Sequence, residues 1–412
     1  MDDDRGASVS ALEVRTTRRG LFGLGAASLL ALVGAGTTAA SDGNNGETNG
    51  RLVFIYDDSW REDWDQTFPV HQEEGVPACC AAVTEYVDTG WGLLPEHLRE
   101  MESEGWEIMS HTASHDVVGN LYLTAPAQPD DERLSVDGSF LGDHEDEPIV
   151  VGNEDGTVEN VIAGGGEDDE GFYLELEEPI DESFAAEETF VRFTDERIRE
   201  EVVGSKAELE EMGVDVDYFV SPFGRSEGLV EELVEEHYAG FANREGDGLN
   251  GIADIDPYDL GRTSIDGQSS TESEIEAFYD QVAAGDYLGI VVGHSQFDET
   301  TEERVRFAIQ EAKARDLEIV TLREALSDLD IGPDEMLGTE EDGEEDDDQD
   351  AESDGDGEAD EGEAATNESA SDSSGDGAGS TVRENGPAIA AGTGLLATVA
   401  VAGRAALQRL RE

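Results

Sequence analysis

Arg51-Leu-Val-Phe-Ile-Tyr-Asp57-Asp58-Ser59 is an apolar run that ends in two adjacent carboxylates, and it reads as a strand delivering them to an edge. About fifty residues on, Gly105-Trp-Glu-Ile-Met-Ser-His111-Thr-Ala-Ser-His115 does the same with two histidines four residues apart. One carboxylate and two imidazoles form a ligand set for a divalent metal, with positions left for water and substrate. A second carboxylate beside that set is placed to deprotonate a water. Together these residue types are the equipment of a metal-dependent hydrolase.

Working outward, strand-like runs at 52–56, 78–83, 106–109, 218–220, 240–242, 289–292 and 317–321 alternate with amphipathic segments at 94–104, 195–212, 228–238, 272–284 and 302–314. Strand followed by helix, repeated, predicts a parallel α/β sheet or barrel, whose chemistry collects at the carboxyl ends of the strands. Asp57, Asp58, His111 and His115 all lie just past such ends. Residues 120–193 break the rhythm with turns and alternating stretches such as Gly171-Phe-Tyr-Leu-Glu-Leu176 and Thr189-Phe-Val-Arg-Phe193. They predict a small antiparallel β insertion on the substrate side; a disordered acidic loop is the competing reading.

The two motifs and their order resemble the polysaccharide deacetylase family, the NodB-homology or family 4 carbohydrate esterases. Phe54-Ile-Tyr-Asp57-Asp58-Ser59 is similar to its first motif and His111-Thr-Ala-Ser-His115 to its second. Tyr218-Phe-Val-Ser-Pro222-Phe223-Gly224 resembles the third, and Leu288-Gly-Ile-Val-Val-Gly-His294 the fifth. Asp259-Leu-Gly-Arg262-Thr-Ser-Ile265 falls where the fourth belongs. The resemblance covers about residues 51–330, minus the insertion. It implies an α/β fold, a distorted (β/α) barrel with a small β-rich insertion, and removal of acetyl groups from N- or O-acetylated sugars. It further implies Asp58, His111 and His115 as ligands of a divalent metal, most often Zn2+, with Asp57 as general base and His294 as general acid.

The chain also departs from the family pattern. Val220 stands where the third motif usually carries an arginine that orients the base, and Arg262 is the candidate to supply that charge instead. Ser59 replaces a usual glycine. Pro222, Phe223 and Trp60 are candidate substrate contacts, although Trp60 and Trp64 could equally pack under the following helix. Each motif alone has a plain structural reading, because an Asp-Asp pair can cap a helix and a lone histidine on an apolar strand is often core. Their joint occurrence in family order favours the catalytic one. His71, His97, His144 and His237 lack such company and read as surface or packing residues. Hydrolysis of another amide or imide on the same fold, and a non-catalytic glycan-binding surface protein, are the alternatives; the intact ligand set counts against the second.

Composition sets the setting. Acidic residues number 101 against 24 basic ones, for a net charge of -77, and only Lys206 and Lys313 are lysine. Repulsion of that size relaxes only when salt shortens the Debye length, so the expectation is adaptation to high salt. No basic stripe exists for nucleic acid. Cys79 and Cys80 are adjacent and staple nothing, so they read as core residues. Arg18-Arg19 before an apolar stretch predicts a twin-arginine export signal over residues 1–40. Residues 331–385 read as an acidic disordered linker. The 18 uncharged residues 386–403, followed by Arg404, Arg409 and Arg411, predict a C-terminal membrane anchor with the folded domain at the cell surface.

Overall fold

The computed structural model describes residues 50–337, apart from 155, 246 and 247, and puts the strand Arg51–Asp57 in the middle of the larger sheet. Cys79–Ala82 and Tyr287–Gly293 flank it, both parallel to it. The path continues through Glu107–Ser110, Tyr218–Phe219 and Gly240–Phe241 on one side, and through Gly261–Ser264 and Arg244–Glu245 on the other. Its two end strands are thus separated along the chain only by Ala242 and Asn243. Three Cα steps reach at most ~11 Å. The sheet therefore has to curl until its edges nearly meet. The barrel is distorted, because Leu249–Gly251 joins it antiparallel and Glu318–Ile319 pairs only with the start of the first strand.

Alternation along the strands sorts the side chains into two cores. Leu52, Phe54 and Tyr56 pack with helix residues such as Leu98, Leu209, Phe278 and Val305. Val53 and Ile55 pack instead with Ala81, Met109, Tyr218, Val220, Leu260 and Ile290 from the other strands, closed off by Leu322 and Leu326. Strands buried on both faces read as continuous apolar runs, which is why the strands were legible. The period of two also fixes the face of each residue at a strand's carboxyl end. Asp57 continues the face of Val53 and Ile55, His111 that of Met109, Arg262 that of Leu260, and His294 that of Ile290. All four are aimed into the barrel mouth.

Helices Pro95–Ser103, Leu229–His237, Glu272–Ala284 and Glu302–Ala314 cover the outer face. The last two begin at Thr271 and Thr301, whose side chains accept hydrogen bonds from backbone N–H groups in the first turn. Residues 195–211 form a continuous helical segment, Asp195–Arg199 and Ser205–Glu211, joined through a wide π turn at Glu200–Gly204. The insertion is a six-stranded antiparallel sheet, ordered Leu121–Tyr122, Phe190–Phe193, Pro148–Asn153, Gly156–Asp168, Gly171–Leu176 and Arg133–Val136. Leu174, Leu176, Val191 and Phe193 give it a buried face. Both cysteines are free and buried in their strand.

The fold runs slightly past its expected end, since Ile331 and Met336 pack on the inner core. The expected export signal, the anchor and the linker beyond Leu337 lie outside the described residues. Among the described helices none is long and apolar enough to cross a membrane.

Candidate active site

The backbone turns sharply at each motif. Asp58, Ser59, Thr112, His115 and Phe223 all have positive φ, at 80°, 51°, 68°, 64° and 61°. Non-glycine residues in that region cost about 1–3 kcal/mol each and persist only where their surroundings hold them. The holding groups are visible. Asp58 N donates to Ala81 O at 3.1 Å, and the Ser59 hydroxyl accepts from Val83 N at 3.2 Å. Ser59 thus keeps the left-handed turn for which a glycine is usual and adds a hydrogen bond that glycine lacks.

The histidine loop hangs on a residue the sequence did not single out. Glu201, fully buried on the π turn, accepts from Ala113 N and Ser114 N at 3.0 and 2.9 Å, and from the Ser114 hydroxyl at 2.7 Å. Arg197 neutralises it at 2.8 Å. Single-turn π segments recur at functional sites, and here the turn carries the carboxylate under the loop.

Asp58 Oδ1, His111 Nε2 and His115 Nε2 converge. The imidazole nitrogens are 3.3 and 2.9 Å from Asp58 Oδ1, and all three ligand atoms lie within 4.8 Å of one another. His111 Nδ1 donates to the Val220 carbonyl at 2.8 Å, which leaves the Nε2 lone pair facing inward. Val220, lacking the expected arginine side chain, thereby serves through its backbone. Asp58 Oδ1 is buried without a well-aligned hydrogen bond. Burial acts to raise the Asp58 pKa, but the adjacent imidazoles of His115 and His111 hold it well below the usual carboxylate range. Gln296 Nε2 donates to its other oxygen. An anionic oxygen and two inward imidazole nitrogens at this spacing are a donor set that fits a divalent cation, zinc among them.

Asp57 lies beside this set. Its Oδ2 is 4.0 Å from His111 Nε2 and 3.9 Å from His294 Nε2. Arg262 Nη1 donates to both of its oxygens, at 2.9 and 3.0 Å. Burial works to raise the Asp57 pKa, and Arg262, then His111 and His294, outweigh it, so the carboxyl is held below its ordinary value. With Arg262→Met, we expect kcat to fall roughly ten- to a hundredfold, the worth of a charged hydrogen-bond pair. Unchanged acetate release would exclude Arg262 as the support of this carboxylate.

Asp266 is the second residue that sequence reasoning missed. It is buried on the loop after Gly261–Ser264, and its Oδ2 accepts from His294 Nδ1 at 2.7 Å. Its Oδ1 accepts from His294 N and the Thr300 hydroxyl, both at 2.8 Å. Burial alone would lower the His294 pKa; the charge and hydrogen bond of Asp266, then Asp58 and Asp57, lift it from 6.5 to about 10. A group that must be protonated to act loses activity as pH rises through its pKa. Asp266→Asn removes the main lifting charge, so the alkaline limb of the pH–kcat/KM profile should move to lower pH. An unmoved limb would mean that some other group is the acid.

The candidate substrate contacts part ways. Phe223 is at the site, its ring 4.9 Å from that of His115, and the preceding Pro222 is buried. Trp60 is a correction: at 7% exposure it is packed against Trp91 and Tyr86, with centroids 4.7 and 6.4 Å away, and little of its ring is left for a sugar. Trp64 stacks on His97 at 4.3 Å. The buried His71 bonds the Tyr56 hydroxyl at 3.0 Å, as a packing residue.

No curated protein matches the chain. Its fold is similar to a T48 deacetylase solved with substrate (13% identity, 68% of this chain and 92% of that one, TM-score 0.38). It is likewise similar to the Xyl-CE4 domain of a multidomain xylanase from the hindgut metagenome of Trinervitermes trinervoides (13%, 69% and 94%, 0.39). A third is peptidoglycan deacetylase PdaC from Bacillus subtilis (11%, 69% and 92%, 0.38). The polysaccharide deacetylase family model matches residues 45–133, which contain Asp57, Asp58, His111 and His115. Over that segment the chain is similar to the polysaccharide deacetylases.

Proposed function

We propose that the protein is a metal-dependent deacetylase that removes N- or O-linked acetyl groups from a polysaccharide of the cell envelope or surroundings. The observation that carries this is the grouping of Asp58, His111 and His115 within 4.8 Å, with Asp57 and His294 close beside them. When bound there, a divalent cation, Zn2+ by donor chemistry, supplies Lewis acidity toward the acetyl carbonyl and the attacking water. Asp57, kept ionised by Arg262, takes the proton from that water. His294, kept protonated by Asp266, hands a proton to the departing amine or alkoxide as the carbon–nitrogen or carbon–oxygen bond breaks. The two shifts keep Asp57 ionised and His294 protonated, the states from which a base and an acid start. Phe223 and the tight motif turns restrict the approach to the ligand set.

The test combines metal analysis of the purified protein with an acetate-release assay in high salt on chitooligosaccharides and acetylated xylan. One equivalent of bound metal with acetate release from one glycan is expected; neither metal nor acetate would sink the reading. We also place the enzyme outside the cytoplasm in a salt-rich setting, on the Arg18-Arg19 pair, the apolar 386–403 and the net charge of -77. Recovery in a soluble cytoplasmic fraction would overturn that location.

A further inference from the structure

A cavity of about 680 Å³ opens next to the histidine loop, between the β insertion (Asp137–Phe140 and Phe172) and the barrel rim. One pair of rings joins it to the active site. Phe140 of the insertion stacks on Phe223, centroids 4.7 Å apart at 27°, and Phe223 in turn abuts His115 at 4.9 Å. Partly exposed aromatic rings, Phe172, Phe223 and Tyr258, line the cavity with six carboxylates: Asp137, Glu227, Glu231, Glu235, Asp256 and Asp259. The one cation among the described lining residues, Arg225, is paired with Asp137 at 2.8 Å. Burial and the neighbouring Glu227, Glu235 and Asp259 raise the Glu231 pKa, so negative charge is crowded here.

Acidic residues cover this chain, and carboxylates alone would say nothing about a ligand. Asn243 does. It sits at the seam where the two ends of the barrel path meet, lines the cavity and is 4% exposed. Its Oδ1 accepts from Ser221 N at 2.9 Å, while the buried Nδ2 has no hydrogen-bond partner among the described residues. An unmet buried donor costs about 1–3 kcal/mol, which a ligand oxygen would recover. Aromatic faces, an amide donor and excess carboxylate are the complement of a pyranose that bears hydroxyls and a positive charge.

Resting on the deacetylase reading of the neighbouring site, we propose that this cavity is a subsite for a sugar with a free amine, so the enzyme favours glycans already partly deacetylated. The rings stack on the sugar face, Asn243 Nδ2 donates to a sugar oxygen, and the Glu231–Glu235 side receives the ammonium. The amine left by one turnover then helps to seat the same chain for the next.

The test titrates the full-length, metal-loaded protein by calorimetry with the glucosamine tetramer and with cellotetraose, neither of which carries an acetyl group to lose. The glucosamine tetramer should bind about tenfold tighter, a difference of ~1.4 kcal/mol. The preference should shrink as salt rises, and it should vanish in a Glu231→Gln/Glu235→Gln double variant, whose folding is checked by its melting temperature. Equal binding of the two tetramers by the wild type, or an undiminished preference in the double variant, overturns the subsite. In parallel, acetate release is measured from chitotetraose with and without one free amine. Release without any amine preference sinks the subsite alone. An amine preference in binding with no release from any acetylated glycan sinks the deacetylase reading and leaves the subsite standing.

Discussion

Asp57→Asn should bind its metal like the wild type and lose about 10²–10⁴-fold in kcat, the usual worth of a positioned base. The substitution is nearly isosteric, so the amide oxygen still accepts from Arg262 Nη1, which now sits 2.9 and 3.0 Å from the two carboxylate oxygens. What disappears is the lone pair basic enough to take a proton. Metal retention follows from geometry: His111 Nε2 is 3.3 Å from Asp58 Oδ1 but 4.0 Å from Asp57 Oδ2, so Asp57 stands outside the ligand triangle. The measurement pairs metal content with acetate release on one preparation. Loss of metal along with turnover would make Asp57 a ligand and would undo the division of labour between the two aspartates.

That division shows how far the sequence could be read. The strand ending in Asp57-Asp58 was legible because a strand buried on both faces leaves an uninterrupted apolar run. The side on which each aspartate falls is then set by parity with Val53 and Ile55. Arg262 was reachable by the same logic, since its strand carries the inward Leu260. Asp266 was not. It is one carboxylate among 101 acidic residues, and only the closure of the barrel brings it 2.7 Å from His294, 28 positions away in sequence. Glu201 was hidden for the same reason, lying 87 positions from the loop amide it holds.

Trp60 erred in the opposite direction. An aromatic after a metal motif suits a sugar platform, but the packing of three aromatic rings, Trp60, Tyr86 and Trp91, captured it. Alternation in Gly171–Leu176 and Phe190–Phe193 announced the insertion. What joins it to the barrel is a contact no local pattern encodes, the stacking of Phe140, on a loop of the insertion, against Phe223 in the turn Pro222–Gly224. Local periodicity therefore reports elements and faces, while the partners that tune a site come from chain closure.

Asp58→Ala should leave the protein folded and without metal. Asp58 contributes the one anionic oxygen of the ligand set, and removing it leaves two imidazole nitrogens with no negative charge to offset a dication. Both histidines stay in place in the variant, because His111 is tied to the Val220 carbonyl and the His115 loop to Glu201. A mere collapse of the loop is thereby separable from loss of a ligand. A ligand present at a hundred times its Kd stabilises a fold by about 2.7 kcal/mol, so chelation should lower the wild-type melting temperature by several degrees. The same chelator should leave the Asp58→Ala melting temperature unmoved, and acetate release from the variant should be at background with or without added zinc. A chelator-sensitive melt in Asp58→Ala would show that metal binds without this carboxylate. The candidate centre at Asp58, His111 and His115 would then have to give way to another.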